Sequence, residues 1–232
     1  PTHSYLAEAA IDSVRKEIAE VEQYKKDIVK GANLELHELP LKKGDDANDE
    51  YEPLRVEIGG TNWAADRPGI LWDKARALYA AGNKREAYVM VGILMHYVQD
   101  MGVPAHAFHV VHQSTLGKTD HFEVLAFQKW CPSYEHVDRA DPELADPVAY
   151  IAWSGEWAAE EFKRAYPSAT YERHFFGTDW TKLEDKDVAF VKERQGHVAL
   201  ANTWALRAAA KALTQMGVSK AVGEPEKQAP LP

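Results

Sequence analysis

Five of the ten histidines, His96, His106, His109, His112 and His121, fall between positions 96 and 121, with Asp100, Asp120 and Glu123 among and just after them. Imidazole nitrogen and carboxylate oxygen without thiolate form the donor set of a zinc ion, with iron, nickel or manganese as other candidates. Cys131 is the single cysteine, which excludes an internal disulfide and a cysteine-based zinc site. His96 and Asp100 stand four apart, one helical turn, on the same face as Val89, Gly92 and Ile93, so both side chains can reach one point. A carboxylate in the last turn of a helix faces the negative end of the macrodipole, and a bound cation reverses that penalty. Gly102-Val103-Pro104-Ala105 then stops the helix and returns His106 beside its end.

Downstream, Asp120-His121-Phe122-Glu123 opens another helix. Asp120 and Glu123 have the spacing of a capping box, and the same spacing puts them on one face as ligands. His121 could reach a metal from the entering turn; His112 competes for that role, and His109 is a further candidate. His3 stands alone at the start of the first helix. His136, His174 and His197 read as ordinary surface or core histidines. The absence of a Glu-x-x-His pair argues against a di-iron bundle.

The elements that must position these groups are helical. Apolar residues recur at three- and four-residue steps from Ser4 to about Lys30, a helix ended by Gly31. Residues 33–68 carry loop chemistry. Two helices over about 69–81 and 84–101 are joined by a tight turn at Gly82-Asn83. Further helices follow over about 120–131, over 149–165 and over 186–216, the last interrupted at Gly196. Without strand alternation the class is all-α, a compact multi-helix bundle in a single domain over 1–216, with a flexible tail over 217–232. The formal net charge of −9 argues against holding duplex nucleic acid by phosphate neutralisation. No apolar run reaches the roughly 18 residues of a membrane span. The chain begins at Pro1 without a signal-like apolar segment, which reads as a processed chain.

The segment Gly92-Ile93-Leu94-Met95-His96-Tyr97-Val98-Gln99-Asp100-Met101-Gly102-Val103-Pro104-Ala105-His106 resembles the zinc-dependent phospholipase C family, whose superfamily includes the fungal zinc nucleases that cut single strands. The likeness extends to Thr2-His3-Ser4-Tyr5-Leu6, to Trp72 through Tyr88 and to Phe122-Glu123, over about residues 1 to 130. It implies a helical bundle with a cleft for up to three zinc ions. His3 would bind one, His96 another, and Asp100 would bridge them; His106 and Glu123, with His121 or His112, would hold the third. A zinc-bound hydroxide would attack the diester.

Four positions depart from the family's pattern: Pro1 two residues before His3, where the family has a ligating Trp; Asp49 in place of a loop His; Thr119 in place of the His one turn before Glu123; and the loop acid that orients the nucleophile, for which Glu35 is favoured over His37 and Glu38. The resemblance implies a phosphodiester hydrolase acting on a phospholipid-like substrate, with a membrane surface as a candidate partner, no obligate protein partner and secretion from the cytoplasm. The alternatives are a single-strand nuclease or 3′-nucleotidase on the same site, with Tyr51, Trp63 and Phe108 as stacking candidates, or a degenerate metal-binding module without catalysis.

Overall fold

Between Glu86 and Asp100 the chain carries no formally charged side chain, and a helix that is apolar all round must be enclosed. The computed structural model describes residues 2–34, 63–108, 110, 119–130, 132–133, 139–176 and 183–223, with backbone alone at 63–67 and 218–223. In it α5, Lys84–Met101, is the enclosed helix, buried almost without interruption from Ala87 to Gln99. Around it lie α1, Thr2–Val14, the short α2, Glu20–Gln23, and α3, Lys25–Ala32. The shell is completed by α4, Trp63–Ala80, α8, Ala149–Ala165, and α9, Asp185–Gly223. Two short helices, α6, Pro104–Ala107, and α7, His121–Gln128, and a π-helical turn, Glu172–Phe176, cover the C-terminal end of α5 and its neighbours. The described residues contain no strand, as the all-α class requires.

The long N-terminal helix expected over 4–30 is in fact three helices. No Gly or Pro marks either break; a partly buried contact of Glu20 accompanies the first. Glu20 accepts hydrogen bonds from Tyr79 Oη at 2.7 Å, Tyr88 Oη at 3.0 Å and Lys84 Nζ at 2.8 Å. Burial opposes ionisation of this carboxyl, yet these three donors hold it below the usual glutamate range.

Gly31 does not end α3; it lets α3 touch α5. A Cβ at Gly31 would lie 2.1 Å from Val89 O, and one at Gly92 would lie 2.1 Å from Ile28 O. Backbone therefore meets backbone where these glycines face each other. The turn at Gly82-Asn83 is as expected, with Gly82 at φ +85°. The next helix starts at Trp63 rather than Gly69 and holds Pro68 in its second turn.

Gly196 likewise does not interrupt its helix. α9 runs unbroken for 39 residues, about 58 Å, and Gly196 makes room for the chain at Ser133, whose carbonyl oxygen would sit 2.0 Å from a Cβ there. The helix also continues past the expected boundary at 217 to Gly223. It packs against the main core around α5. It also meets an aromatic cluster in which Phe122, Phe162, Tyr171, Phe175 and Phe190 meet mostly edge-on or tilted.

Candidate metal centre

The α3–α5 approach fixes the first ligand. Because the two backbones touch, Ala32 O lies 3.0 Å from His96 Nδ1. A carbonyl only accepts, so Nδ1 carries the proton and Nε2 points away, toward Asp100 Oδ2 at 3.2 Å. From α1, His3 Nδ1 lies 2.6 Å from Gln99 Oε1, and its Nε2 faces Asp100 Oδ1 at 3.8 Å. Each oxygen of Asp100 thus faces a different histidine. The two imidazoles stack at 4.1 Å between centroids, and Ser4 with Asn33 ties the start of α1 to the end of α3 beside them.

This arrangement suits a cation. A neutral imidazole has one N–H, yet both nitrogens of His96, whose side chain is 4% exposed, face acceptors. Ligands about 2.0–2.1 Å from a tetrahedral zinc are about 3.3 Å apart, and 3.2 and 3.8 Å bracket that spacing. One ligand atom from each of His3, His96 and Asp100 falls within 4.8 Å of the others. Both outer nitrogens are held by a carbonyl or an amide, the usual second layer of a histidine metal site. Burial works against ionisation of Asp100, but the neighbouring His96, His106 and His3 hold its carboxyl well below the usual aspartate range.

The corner after Asp100 is built as its sequence implies, with Val103 extended and Pro104 starting α6. Gly102 is needed for space, since its Cβ would meet Val198 Cγ2 at 2.4 Å. The corner brings His106 Nε2 to 3.7 Å from Glu123 Oε1 on α7. Asp120 has other partners: it caps α7, accepting from Phe122 N at 2.9 Å, and accepts a hydrogen bond from the Tyr171 hydroxyl at 2.8–2.9 Å. His121 opens α7 but belongs to neither of the three-ligand groups among the described residues. Glu35, His37, Glu38, Asp49, Tyr51, His109, His112, Cys131 and His136 lie outside the described residues, as does the side chain of Trp63.

A cleft of about 630 Å³ opens at the centre, lined by His3, Asp100 and Glu123 and by the apolar Leu6, Phe122 and Val198. Phe108 is turned into the aromatic cluster, edge-on to Phe162 at 5.4 Å.

His197, read from sequence as a surface or core histidine, is a core one, though its partners were not foreseen. It is fully buried, with Nδ1 2.8 Å from Glu161 Oε2 and Nε2 4.0 Å from Glu193 Oε1, and these three form the second group with converging ligand atoms. Arg194 Nη1 reaches the same Glu161 oxygen at 2.6 Å. A fixed guanidinium charge already neutralises Glu161, so this group is an internal ion-pair network. Burial would raise the Glu161 carboxyl, but the His197 hydrogen bond and the Arg194 charge bring it down to about 2. The available signal was the polar trio Glu193, Arg194 and His197 within an otherwise Ala-rich helix. Gln99 was passed over, because nothing in sequence places α1 against that face of α5.

Compared with models of protein families and with curated proteins, the sequence matches none.

Proposed function

We propose that this chain is a zinc-dependent phosphodiester hydrolase of the phospholipase C type, acting on a phospholipid-like diester. One observation carries the proposal: His3 and His96, each with Nδ1 hydrogen-bonded behind it, turn Nε2 toward opposite oxygens of one carboxylate, Asp100. His3, His96 and Asp100 would hold two zinc ions, and His106 with Glu123 a third. When bound, zinc supplies a water whose pKa falls to about 7 and positive charge against the phosphoryl oxygens.

The chain's own groups do the rest. Ala32 O and Gln99 keep both imidazoles in the tautomer that presents Nε2. Leu6, Val103, Phe122 and Val198 offer the cleft an apolar wall suited to the hydrocarbon part of a lipid. Phe127, 58% exposed at the cleft, and Tyr5, 47% exposed and stacked on Trp130, are aromatic side chains of the kind that settle at a lipid–water boundary. Phe108 packs on the aromatic cluster and does not line the cleft, so it offers no stacking platform there. No described helix is long and apolar enough to cross a membrane.

The test is the metal content of the purified chain together with hydrolysis of a short-chain phosphatidylcholine, a single-stranded oligonucleotide and a chromogenic phosphodiester, for the wild type and Asp100→Ala. Two or more zinc ions per chain, lipid hydrolysis and loss of both in the variant are expected. One metal or none with no hydrolysis refutes the proposal, and cleavage of the oligonucleotide alone replaces the substrate.

A further inference from the structure

α9 carries no ligand of the His3–His96–Asp100 centre, yet it bonds to the backbone of α1, of α7 and of the corner that follows α5. Arg194 Nη2 donates to Gly102 O at 2.8 Å, the carbonyl between Asp100 and His106. Gln195 Nε2 donates to Ala126 O at 2.7 Å, in the last turn of the helix that carries Glu123. Asn202 Nδ2 donates to Leu6 O at 3.1 Å, one turn beyond His3. All three side chains are buried, Arg194 and Asn202 completely.

Burial alone does not require the Arg194–Glu161 pair to be ionic. Apolar residues of similar volume would fill the same space, and replacing a buried ion pair in that way is often neutral or stabilising. A hydrogen bond differs from an apolar contact in having direction. Arg194 has two fixed directions, Nη2 toward Gly102 O and Nη1 toward Glu161 on α8 at 2.6 Å, so the corner is held from two helices at once. The contact leaves no slack, since the α9 side chain Val198 already fills the place of a Gly102 Cβ.

We propose that Arg194, Gln195 and Asn202 are positioning residues that set the spacing of Asp100 and His106, Glu123 and His3 respectively. This inference rests on the metal-centre reading above. It explains how one centre is assembled from residues about 120 positions apart: a single unbroken helix serves as the common reference for all of them.

The experiment uses the full chain and the variants Glu161→Gln/Arg194→Met, Gln195→Leu and Asn202→Leu. The double variant removes both charges, so neither is left buried alone. Zinc affinity is measured by competition with a chelating dye, coordination geometry by the visible absorption of the Co²⁺-loaded protein, and folding by near-ultraviolet circular dichroism. Folded variants with zinc bound roughly tenfold or more weakly and an altered cobalt spectrum are expected. Folded variants with wild-type affinity and spectrum overturn the inference. Should the double variant not fold, the uncharged substitution Gln195→Leu decides by the same readouts. A wild type that binds no zinc overturns the metal-centre reading and this inference with it, whereas a zinc-binding wild type with unaltered variants overturns this inference alone.

Discussion

Gly31→Ala tests whether the α3–α5 approach sets both stability and the centre. The new Cβ would lie 2.1 Å from Val89 O and 2.9 Å from Gly92 Cα, where an ordinary carbon–oxygen contact is about 3.3 Å. Both obstacles are backbone, so the helices must part by about 1 Å. Overpacking of this kind costs about 1–3 kcal/mol, and the upper end applies when no side chain can swing aside. Alanine's helix propensity returns about 0.8–1 kcal/mol, leaving a net loss of about 2 kcal/mol. The same displacement stretches the 3.0 Å His96 Nδ1 to Ala32 O bond beyond hydrogen-bond range, which should weaken metal binding roughly tenfold. Gly69→Ala is the control: it also lies in a helix, and a Cβ there meets nothing within 4 Å among the described residues, so it should gain about 0.8–1 kcal/mol. Urea unfolding with unchanged m values gives both numbers. A Gly31→Ala protein as stable as the wild type, or two variants that shift in the same direction, refutes the reasoning.

Glu161 has a depressed carboxyl in the folded state, so its contribution to stability is present above the ordinary glutamate value of 4.5 and is lost as pH falls from there toward about 2; the slope of unfolding free energy against pH across that window should flatten in Glu161→Gln. Asp120→Ala should destabilise by about 1–3 kcal/mol, from a lost helix cap and an unpaired buried Tyr171 hydroxyl, while metal stoichiometry stays at the wild-type value; a fall in metal content would make Asp120 a ligand instead of a cap. In a thermal melt, zinc at about 100 times its Kd should stabilise the wild type by about 2.7 kcal/mol and Asp100→Asn hardly at all, with the metal-free variant as stable as the metal-free wild type at pH 8. A variant that keeps the zinc-induced rise refutes the role given to Asp100.

The juxtaposition of His96 with Asp100 in the candidate centre was legible because one helix makes it. His96, Asp100 and the Gly102–Pro104 stop lie within nine residues in local geometry that period and breaker signals describe, and the capping role of Asp120 follows from its spacing to Glu123. What escaped was set by contacts between distant elements. Gly31 and Gly196 read as helix punctuation because the sequence does not say which backbone will come close, and a close approach needs glycine as much as a stop does. The bend between Val14 and Glu20 has no local signal at all; it accompanies the hydrogen bonds that Glu20 accepts some sixty residues away. The role of Gln99 and the partner of His197 were invisible for the same reason, His3 and Glu161 being supplied by other helices.

Three local features around Asp100 run against the rules that govern the rest of the chain. A carboxylate stands in the last turn of α5, which holds no basic residue to answer the helix dipole. The nearly buried His96 faces an acceptor on each nitrogen, although a neutral ring has one proton to give. A protein with net charge −9 keeps this further negative group in a partly enclosed cleft. Positive charge between Nε2 and the carboxylate answers all three at one point. Protons on the imidazoles provide it only while the rings are charged, whereas a divalent cation provides it at any pH where imidazole is neutral, which is why the same geometry that looks costly in the bare chain is the one a metal centre requires.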